Sequence, residues 1–273
     1  MVERENRRLD VLLVERGLVT GRDRAKELIA QGVVLVNGVP ADKASQLVGP
    51  DAELTLLGDG GHYVSRAAQK LRGAMETFSV SPEGVIALDV GASTGGFTQY
   101  LLEHGAAHVY AVDVGTDQLA PALRSDPRVT DLQQTDIRTL SPDALPEKPV
   151  LAVCDVSFIS LRLVLPAIKN HLSPDGQAIV LIKPQFEAGR AAVGRTGVIR
   201  DPKIHLAVLR ETVIQFSLNG FVLAGLEPSP IRGGDGNIEF LAWLRQTGEP
   251  LQPDLAALVR RAHATDTKGK GCL

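Results

Sequence analysis

From residue 63 to about residue 247, short apolar runs alternate with segments of helical pattern, and this alternation constrains the fold more than any other feature of the chain. The apolar runs are "GVIALDVG" (84–91), "HVYAVDVG" (108–115), "RVTDLQQTDI" (128–137), "PVLAVCDVS" (149–157) and "AIVLIKP" (178–184). Between or after them stand "GGFTQYLLEHG", "SLRLVLPAIKNHL" and the long "IHLAVLRETVIQFSLNG", each with apolar residues at helical spacing. Strands that alternate with helices imply a mostly parallel sheet covered by helices on both faces. The last runs, "FVLAGLEPSP" and "NIEFLAWL", are joined through "IRGGDG" and read as a hairpin-like pair, one strand antiparallel.

The 273 residues suffice for one large domain or two smaller ones. The chain divides at "GDGGH" (58–62), a glycine-rich joint. Ahead of it, residues 7–57 predict two short helices, "RLDVLLVERG" with Gly17 as its stop and "TGRDRAKELIAQG" with Thr20 as N-cap and Gly32 at its end. "VVLVNGV" follows as a strand with an Asn-Gly hairpin turn, and "AELTLL" (52–57) is the last strand. Residues 63–247 form the larger domain. Residues 248–273 predict a terminal helix, "PDLAALVRRAHA", and a frayed tail.

A net charge of −3 argues against a surface coated in cations but leaves room for a local basic patch. Arg7, Arg8, Arg16, Arg22, Arg24 and Lys26 crowd the first two helices, where they suit phosphate contacts. Asp10, Glu15, Asp23 and Glu27 lie among them, so charge alone fits a solvated helix face equally well. The two cysteines and six histidines have no metal-ligand or disulfide spacing, which predicts no metal site and suits a reducing cytoplasm. The charged N-terminus reads as no signal peptide, and no apolar run is long enough for a membrane span.

The small N-terminal piece resembles the S4 RNA-binding module through "RLDVLL", "GRDRAKELI", "GVVLVNG" and "VGPDAEL", with Gly21 where that family usually has Ser. The resemblance implies RNA contacts by Arg7, Arg8, Arg22, Arg24 and Lys26. In the larger domain, "LDVGASTGGFT" (88–98) is a strand, a glycine-rich turn and a helix start. Gly91, Gly95 and Gly96 allow close backbone approach to a ligand at a helix N-terminus. Asp113 is expected at the end of the second strand, placed to accept from ribose hydroxyls, and Asp136 at the end of the third, placed to accept from an adenine amino group. With Asp89 before the turn, the set resembles a class I S-adenosylmethionine site, and the expected cofactor contacts are Asp89, Gly91, Ser93, Thr94, Gly95, Gly96, Phe97, Asp113, Asp136 and Asp155. The alternative is that these acids only cap turns.

Lys183 leaves the fifth strand of the sheet just before Pro184, on the edge where open α/β sheets hold their ligands. Asp155 follows the fourth strand, Glu239 lies on the last, and Lys70 sits on the helix that leads into the sheet. A ribose 2′-hydroxyl must lose its proton as it is methylated. An amine whose pKa is lowered by a second ammonium or by burial can take that proton. Lys183 is therefore the expected base, with Lys70 and Asp155 tuning it and Glu239 orienting Lys70 or the ribose.

This Lys-Asp-Lys-Glu pattern resembles the FtsJ-type ribose 2′-O-methyltransferases. With "YVSRAAQKL", "LDVGASTGGFT", "CDVSFISL", "LIKPQFEAGR", "GVIRDPKIH" and "SPIRGGDGNIEFL", the chain from about 7 to 245 resembles the TlyA (hemolysin A) family of ribosomal RNA 2′-O-methyltransferases. "SRAAQKL" departs from a commoner glycine pair after "SR". The resemblance implies a Rossmann-like methyltransferase domain with a mostly parallel seven-stranded sheet behind an α+β S4 domain, and S-adenosylmethionine as cofactor. It also implies cytidine ribose in the 16S RNA, the 23S RNA or both, in ribosomal subunits, as target, work in the cytoplasm and no membrane partner. Arg66, in "YVSRAAQKL", joins the expected RNA contacts.

The loop "EAGRAAVGRTGVIRDPKIH" (187–205) adds the cations Arg190 and Arg195 beside Lys183 and is expected to clamp an RNA backbone, the alternative being an ordinary solvated connection. Phe158 and Phe186 flank the strand ends; either ring could stack a splayed base, but Phe158 is expected in the core. Competing readings are a non-catalytic RNA-binding protein and a membrane-active hemolysin. The intact Lys70, Asp155, Lys183, Glu239 set opposes the first, and the lack of a strongly basic amphipathic helix opposes the second.

Overall fold

The computed structural model describes residues 6–19, 21–30, 32–56, 62–189, 192–194 and 196–267. It separates into two compact units, Met1–Arg66 and Ala67–Leu273. Thr20, most of the 58–62 joint, Arg190, Arg195 and the tail from residue 268 lie outside the described residues.

In the first unit a two-residue strand β1 (Arg7–Arg8) pairs antiparallel with β4 (Leu47–Val48). Helices α1 (Leu9–Glu15) and α2 (Arg22–Ala30) follow β1, and a sheet of order β3-β2-β5 is built from β2 (Val34–Val36), β3 (Val39–Pro40) and β5 (Leu54–Leu56). Asn37 (φ 51°) and Gly38 (φ 79°) form the hairpin turn between β2 and β3, both in the left-handed region that the tight turn requires. Leu9, Leu12, Leu13, Ala25, Leu28, Ile29, Val34 and Val48 make the core. The helical spacing brings the α1 and α2 members of this set to one face, and Val34 and Val48 are added by β2 and β4.

The second unit begins with α3 (Ala67–Phe78). Then come β6 (Ile86–Val90), α4 (Gly96–Glu103), β7 (His108–Val112), α5 (Pro121–Arg124), β8 (Val129–Leu132), β9 (Leu151–Cys154) and α6 (Leu161–His171). Next are β10 (Gln177–Ile182), α7 (Pro184–Glu187), α8 (Pro202–Leu218), β11 (Val222–Pro228), β12 (Phe240–Arg245) and α9 (Leu255–Thr267). The strands form a seven-stranded sheet of order β11-β12-β10-β9-β6-β7-β8. β12 runs antiparallel to both of its neighbours, and the other pairings are parallel.

β9 and β10 are buried almost throughout, so they read as continuous apolar runs rather than alternating ones. One face of the sheet packs Leu88, Val90, Cys154, Val180 and Ile182 against α6, α8 and α9. Helix α8 is set by Pro202 in its first turn and by Asp201, whose carboxylate accepts from the Lys203 amide at 2.8 Å. His205 on α8 and His263 on α9 share a hydrogen bond between ring nitrogens 3.0 Å apart. Burial pushes the His205 pKa down to about 4, so its own ring is neutral at neutral pH.

Phe216 on α8 is fully buried in this layer. Phe216→Ala is expected to cost about 3–5 kcal/mol of stability, read as a lower urea midpoint at unchanged slope.

Candidate active site

The parallel register sets β6, β9 and β10 side by side, with Cys154 opposite both Val90 and Val180. The residues leaving these strands therefore share one edge. Gly91 leaves β6, Asp155 leaves β9 and Lys183 leaves β10. The antiparallel pairing of Ile182 with Phe240 brings the residue before β12, Glu239, to the same edge. Glu239 thus precedes the last strand instead of lying within it.

Lys183 Nζ lies 2.6 Å from Asp155 Oδ1 and donates to Ser157 Oγ at 2.8 Å. Lys70 Nζ lies 2.8 Å from Glu239 Oε2 and 3.5 Å from Asp155 Oδ2. Asp155 thus bridges two ammonium groups, and all four side chains are 12% exposed or less. Burial pushes the Glu239 carboxyl above the usual carboxylate range, while Lys70 pulls it back. Asp155 Oδ1 and Glu239 Oε2 have the lysines at ion-pair distance but no well-directed hydrogen bond, so each keeps acceptor capacity.

Beside this cluster a cleft of about 770 Å³ opens between the ends of β6, β7, β8 and β9. Gly91, Ser93, Asp113, Asp136 and Asp155 line it. Gly91 sits at φ 83°, and a Cβ there would fall 2.9 Å from the Asp155 carbonyl oxygen. Only glycine lets the first turn of the loop lie this close to the β9 end. Asp113 Oδ2 accepts from the Ser93 amide at 2.8 Å and Oδ1 from the Gly115 amide at 2.7 Å. It therefore ties the glycine turn to the end of β7, and each oxygen retains a second lone pair.

Several expected residues occupy other places. Asp136 lies in a turn four residues beyond the end of β8. Its carboxylate accepts from the Arg138 amide at 2.9 Å and pairs with the Arg138 guanidinium, while still lining the cleft. Thr94, Gly95, Gly96 and Phe97 are not among the cleft-lining residues. Gly95, at φ 96°, caps α4, Gly96 opens it, and Phe97 is core. Asp89 is fully buried behind the turn, where its Oδ2 accepts from the Thr98 hydroxyl at 2.7 Å and its Oδ1 has no partner. Burial pushes its pKa up to about 7.

Phe158 overturns its expected place in the core. It is 91% exposed, stands in the left-handed region at φ 64°, and lines the mouth of the cleft. For a bulky residue that backbone is a genuine outlier. Its ring centroid lies 5.0 Å from that of Phe186, which in turn sits 5.9 Å from Lys183 Nζ. Ser157 is a polar neighbour of Lys183 that sequence reasoning passed over; its only signal is the hydroxyl two residues after Asp155.

In the first unit, Asp10 is buried and takes two guanidinium groups. Arg8 donates at 2.9 and 3.1 Å and Arg22 at 2.8 and 3.2 Å. These pairs hold the Asp10 carboxyl far below the usual range. Both arginines remain about half exposed. Arg7 pairs with Glu15, Arg24 with Glu27 and Lys26 with Asp23. Arg16 instead donates to the Ala52 and Pro50 carbonyls. Arg66 ends this unit, directly before α3. Among the described residues no group of three or more His, Cys, Asp or Glu could hold a metal, and no helix is long and apolar enough to cross a membrane.

A seven-stranded sheet with an inserted antiparallel strand, a glycine turn and a cleft at the C-terminal strand ends define a class I methyltransferase. The FtsJ-like methyltransferase family matches residues 63–246 and the S4 domain matches residues 7–54. The 16S/23S rRNA (cytidine-2′-O)-methyltransferase TlyA of Mycobacterium tuberculosis is 45% identical over 246 residues, covering 89% of this chain and 92% of that protein. Hemolysin A of Brachyspira hyodysenteriae is 39% identical, over 86% of this chain and 98% of its own. A Streptococcus thermophilus structure that carries the hemolysin name superposes with a TM-score of 0.77 at 42% identity, over 98% of this chain and 99% of that one. The chain belongs to the TlyA family, FtsJ-like methyltransferases with an S4 domain in front.

The raised pKa of Asp89 makes a pH prediction. Its proton is held more tightly in the folded than in the unfolded chain, so its contribution to stability is full below the unfolded value of about 4 and is lost as pH rises through about 7. Asp89→Asn keeps an acceptor for Thr98 and removes the titration. Urea unfolding at pH 5 and pH 8 is expected to show a smaller loss of stability in the variant than in the parent.

Proposed function

We propose that this protein transfers a methyl group from S-adenosylmethionine to the 2′-hydroxyl of a cytidine ribose in 16S or 23S ribosomal RNA, working on ribosomal subunits in the cytoplasm. The observation that carries the reading is the Asp155 carboxylate bridging Lys70 and Lys183 at the wall of the glycine-turn cleft. The rRNA methyltransferase names of the M. tuberculosis relative and of a 36% identical Campylobacter jejuni relative support it.

The residues present fit the cofactor. The cleft has room for a nucleoside and an amino-acid arm. Asp113 keeps lone pairs for ribose hydroxyls, and Gly91 leaves the backbone open. Bound there, S-adenosylmethionine supplies an electrophilic methyl group on a sulfonium. Asp136, held by Arg138, and Ser93 line the same cleft and would hold the adenosine end.

Lys183 is the group that takes the ribose proton. It must first release one of its own, and Asp155 and Ser157 keep its Nζ aimed while it does so. Lys70, paired with Glu239, holds the other oxygen of Asp155 and so helps fix the carboxylate that aims Lys183. Glu239 and Asp155 retain acceptor capacity for the incoming hydroxyl. The chain otherwise contributes position and the exclusion of water. Phe158, exposed at the mouth, stacks the base of the nucleotide to be methylated. Arg8 and Arg22, fixed by Asp10, join Arg7, Arg24, Lys26, Arg66, Arg190 and Arg195 as phosphate contacts.

The direct test is tritium transfer from labelled cofactor to purified 30S and 50S subunits, with nuclease mapping of the label. Label on a ribose 2′-oxygen is expected; absence of transfer to either subunit, with cofactor bound, rejects the reading. Lys183→Ala is expected to lower kcat by roughly 10²–10⁴-fold while cofactor affinity stays nearly intact. Arg22→Ala is expected to weaken rRNA binding and to reduce the slope of log affinity against log salt by about 1.

A further inference from the structure

The loop between β9 and α6 carries three groups that face the chemistry, Asp155, Ser157 and Phe158, and one of them stands in a backbone conformation that a phenylalanine does not adopt unaided. Such a residue costs about 1–3 kcal/mol and persists only where its surroundings over-determine it. The front of the loop is held by Lys183, which pairs with Asp155 and donates to Ser157.

The rear is held by a residue outside the catalytic set. Glu187, at the end of α7, accepts from the Ser160 hydroxyl at 2.6 Å through Oε2 and from the Leu161 amide at 2.8 Å through Oε1. Ser160 is the N-cap residue of α6, yet its side chain caps nothing in its own helix. The carboxylate that satisfies the first amide of α6 comes instead from a different segment, four residues after Lys183. The segments 155–161 and 183–187 are thus joined at both ends, with the Phe158–Phe186 ring contact between the two anchor points.

We propose that Glu187 is a positioning residue: by clamping the Ser160–Leu161 end of the loop it holds Phe158 in its outward, left-handed pose, ready to receive the base of the nucleotide being methylated. The last clause rests on the rRNA methyltransferase reading above; the clamp itself does not. Glu187 touches no reacting atom, and its effect runs through Phe158.

Glutamine can keep both bonds, with its carbonyl accepting from the Leu161 amide and its amide donating to Ser160 Oγ. Alanine keeps neither. Two hydrogen bonds of ordinary net strength correspond to an effect of roughly tenfold or more. Glu187→Ala is therefore expected to raise KM for ribosomal subunits about tenfold with kcat and cofactor affinity changed less than about threefold, and Glu187→Gln to restore KM to within about twofold. In a Phe158→Ala background, Glu187→Ala is expected to have no further effect on KM, the signature of one residue acting through another. Hydrogen exchange of the amides from Val156 to Leu161, read on the full chain without substrate, is expected to speed up in Glu187→Ala and not in Glu187→Gln.

Additive effects of Glu187→Ala and Phe158→Ala, a glutamine variant as impaired as the alanine variant, or unchanged exchange in the loop would each overturn the proposal. Should Glu187→Ala fail to fold, Ser160→Ala removes half of the clamp and must show a smaller KM rise that vanishes in Phe158→Ala. If the parent protein methylates no subunit, the methyltransferase reading fails, while the exchange experiment still decides the clamp.

Discussion

One carboxylate between two ammonium groups governs this molecule. Asp155 meets Lys183 at 2.6 Å and Lys70 at 3.5 Å in a place from which water is largely removed. Buried charges are tolerated only when paired, and removing one partner leaves the others uncompensated. The four groups come from the ends of β9 and β10, the start of β12 and helix α3, so the electrostatic balance holds only when those elements are all in register. The sheet order, with β12 inserted antiparallel beside β10, follows the same requirement: it is this insertion that delivers Glu239 to the edge where Lys183 emerges.

Around that balance, each neighbouring part removes a freedom that chemistry at the strand ends cannot tolerate. Gly91 lets two strand ends approach to within contact of each other. Asp113 fastens the glycine turn to β7, and Glu187 fastens α6 to the segment after β10. Side chains held by packing and outer hydrogen bonds keep a site to the tolerance that catalysis needs. The first unit uses the same device on a smaller scale, where buried Asp10 holds the guanidinium groups of Arg8 and Arg22 while leaving them half exposed.

Much of this was legible in the residues. The strand-helix alternation, the Asn-Gly hairpin and the glycine turn each have local causes, and local causes leave local patterns. Lys183, Asp155 and Gly91 could be found because each directly follows an apolar run. The remainder depends on distant partners. Asp136 reads as a strand end, but Arg138 draws it into a turn. Phe158 reads as core because hydrophobicity predicts burial, whereas its loop is tied at both ends to a distant segment, residues 183–187. Ser157 and Glu187 carry no pattern of their own, since their partners stand 26 or 27 residues away. The pairing of β1 with β4 has only two residues on each side, too few for any periodicity.

The strand order also sets a schedule for synthesis. β12 is the last strand to leave the ribosome, yet it fills a position inside the sheet, between β10 and β11. Until it arrives, the exposed edge of β10 has no partner, and Lys70 lacks Glu239, the nearer of its two carboxylates. A nascent chain can therefore form its first unit and most of its cleft while the four-charge cluster is still incomplete. The four-charge cluster closes only once translation has passed Glu239 and β12 has taken its place beside β10.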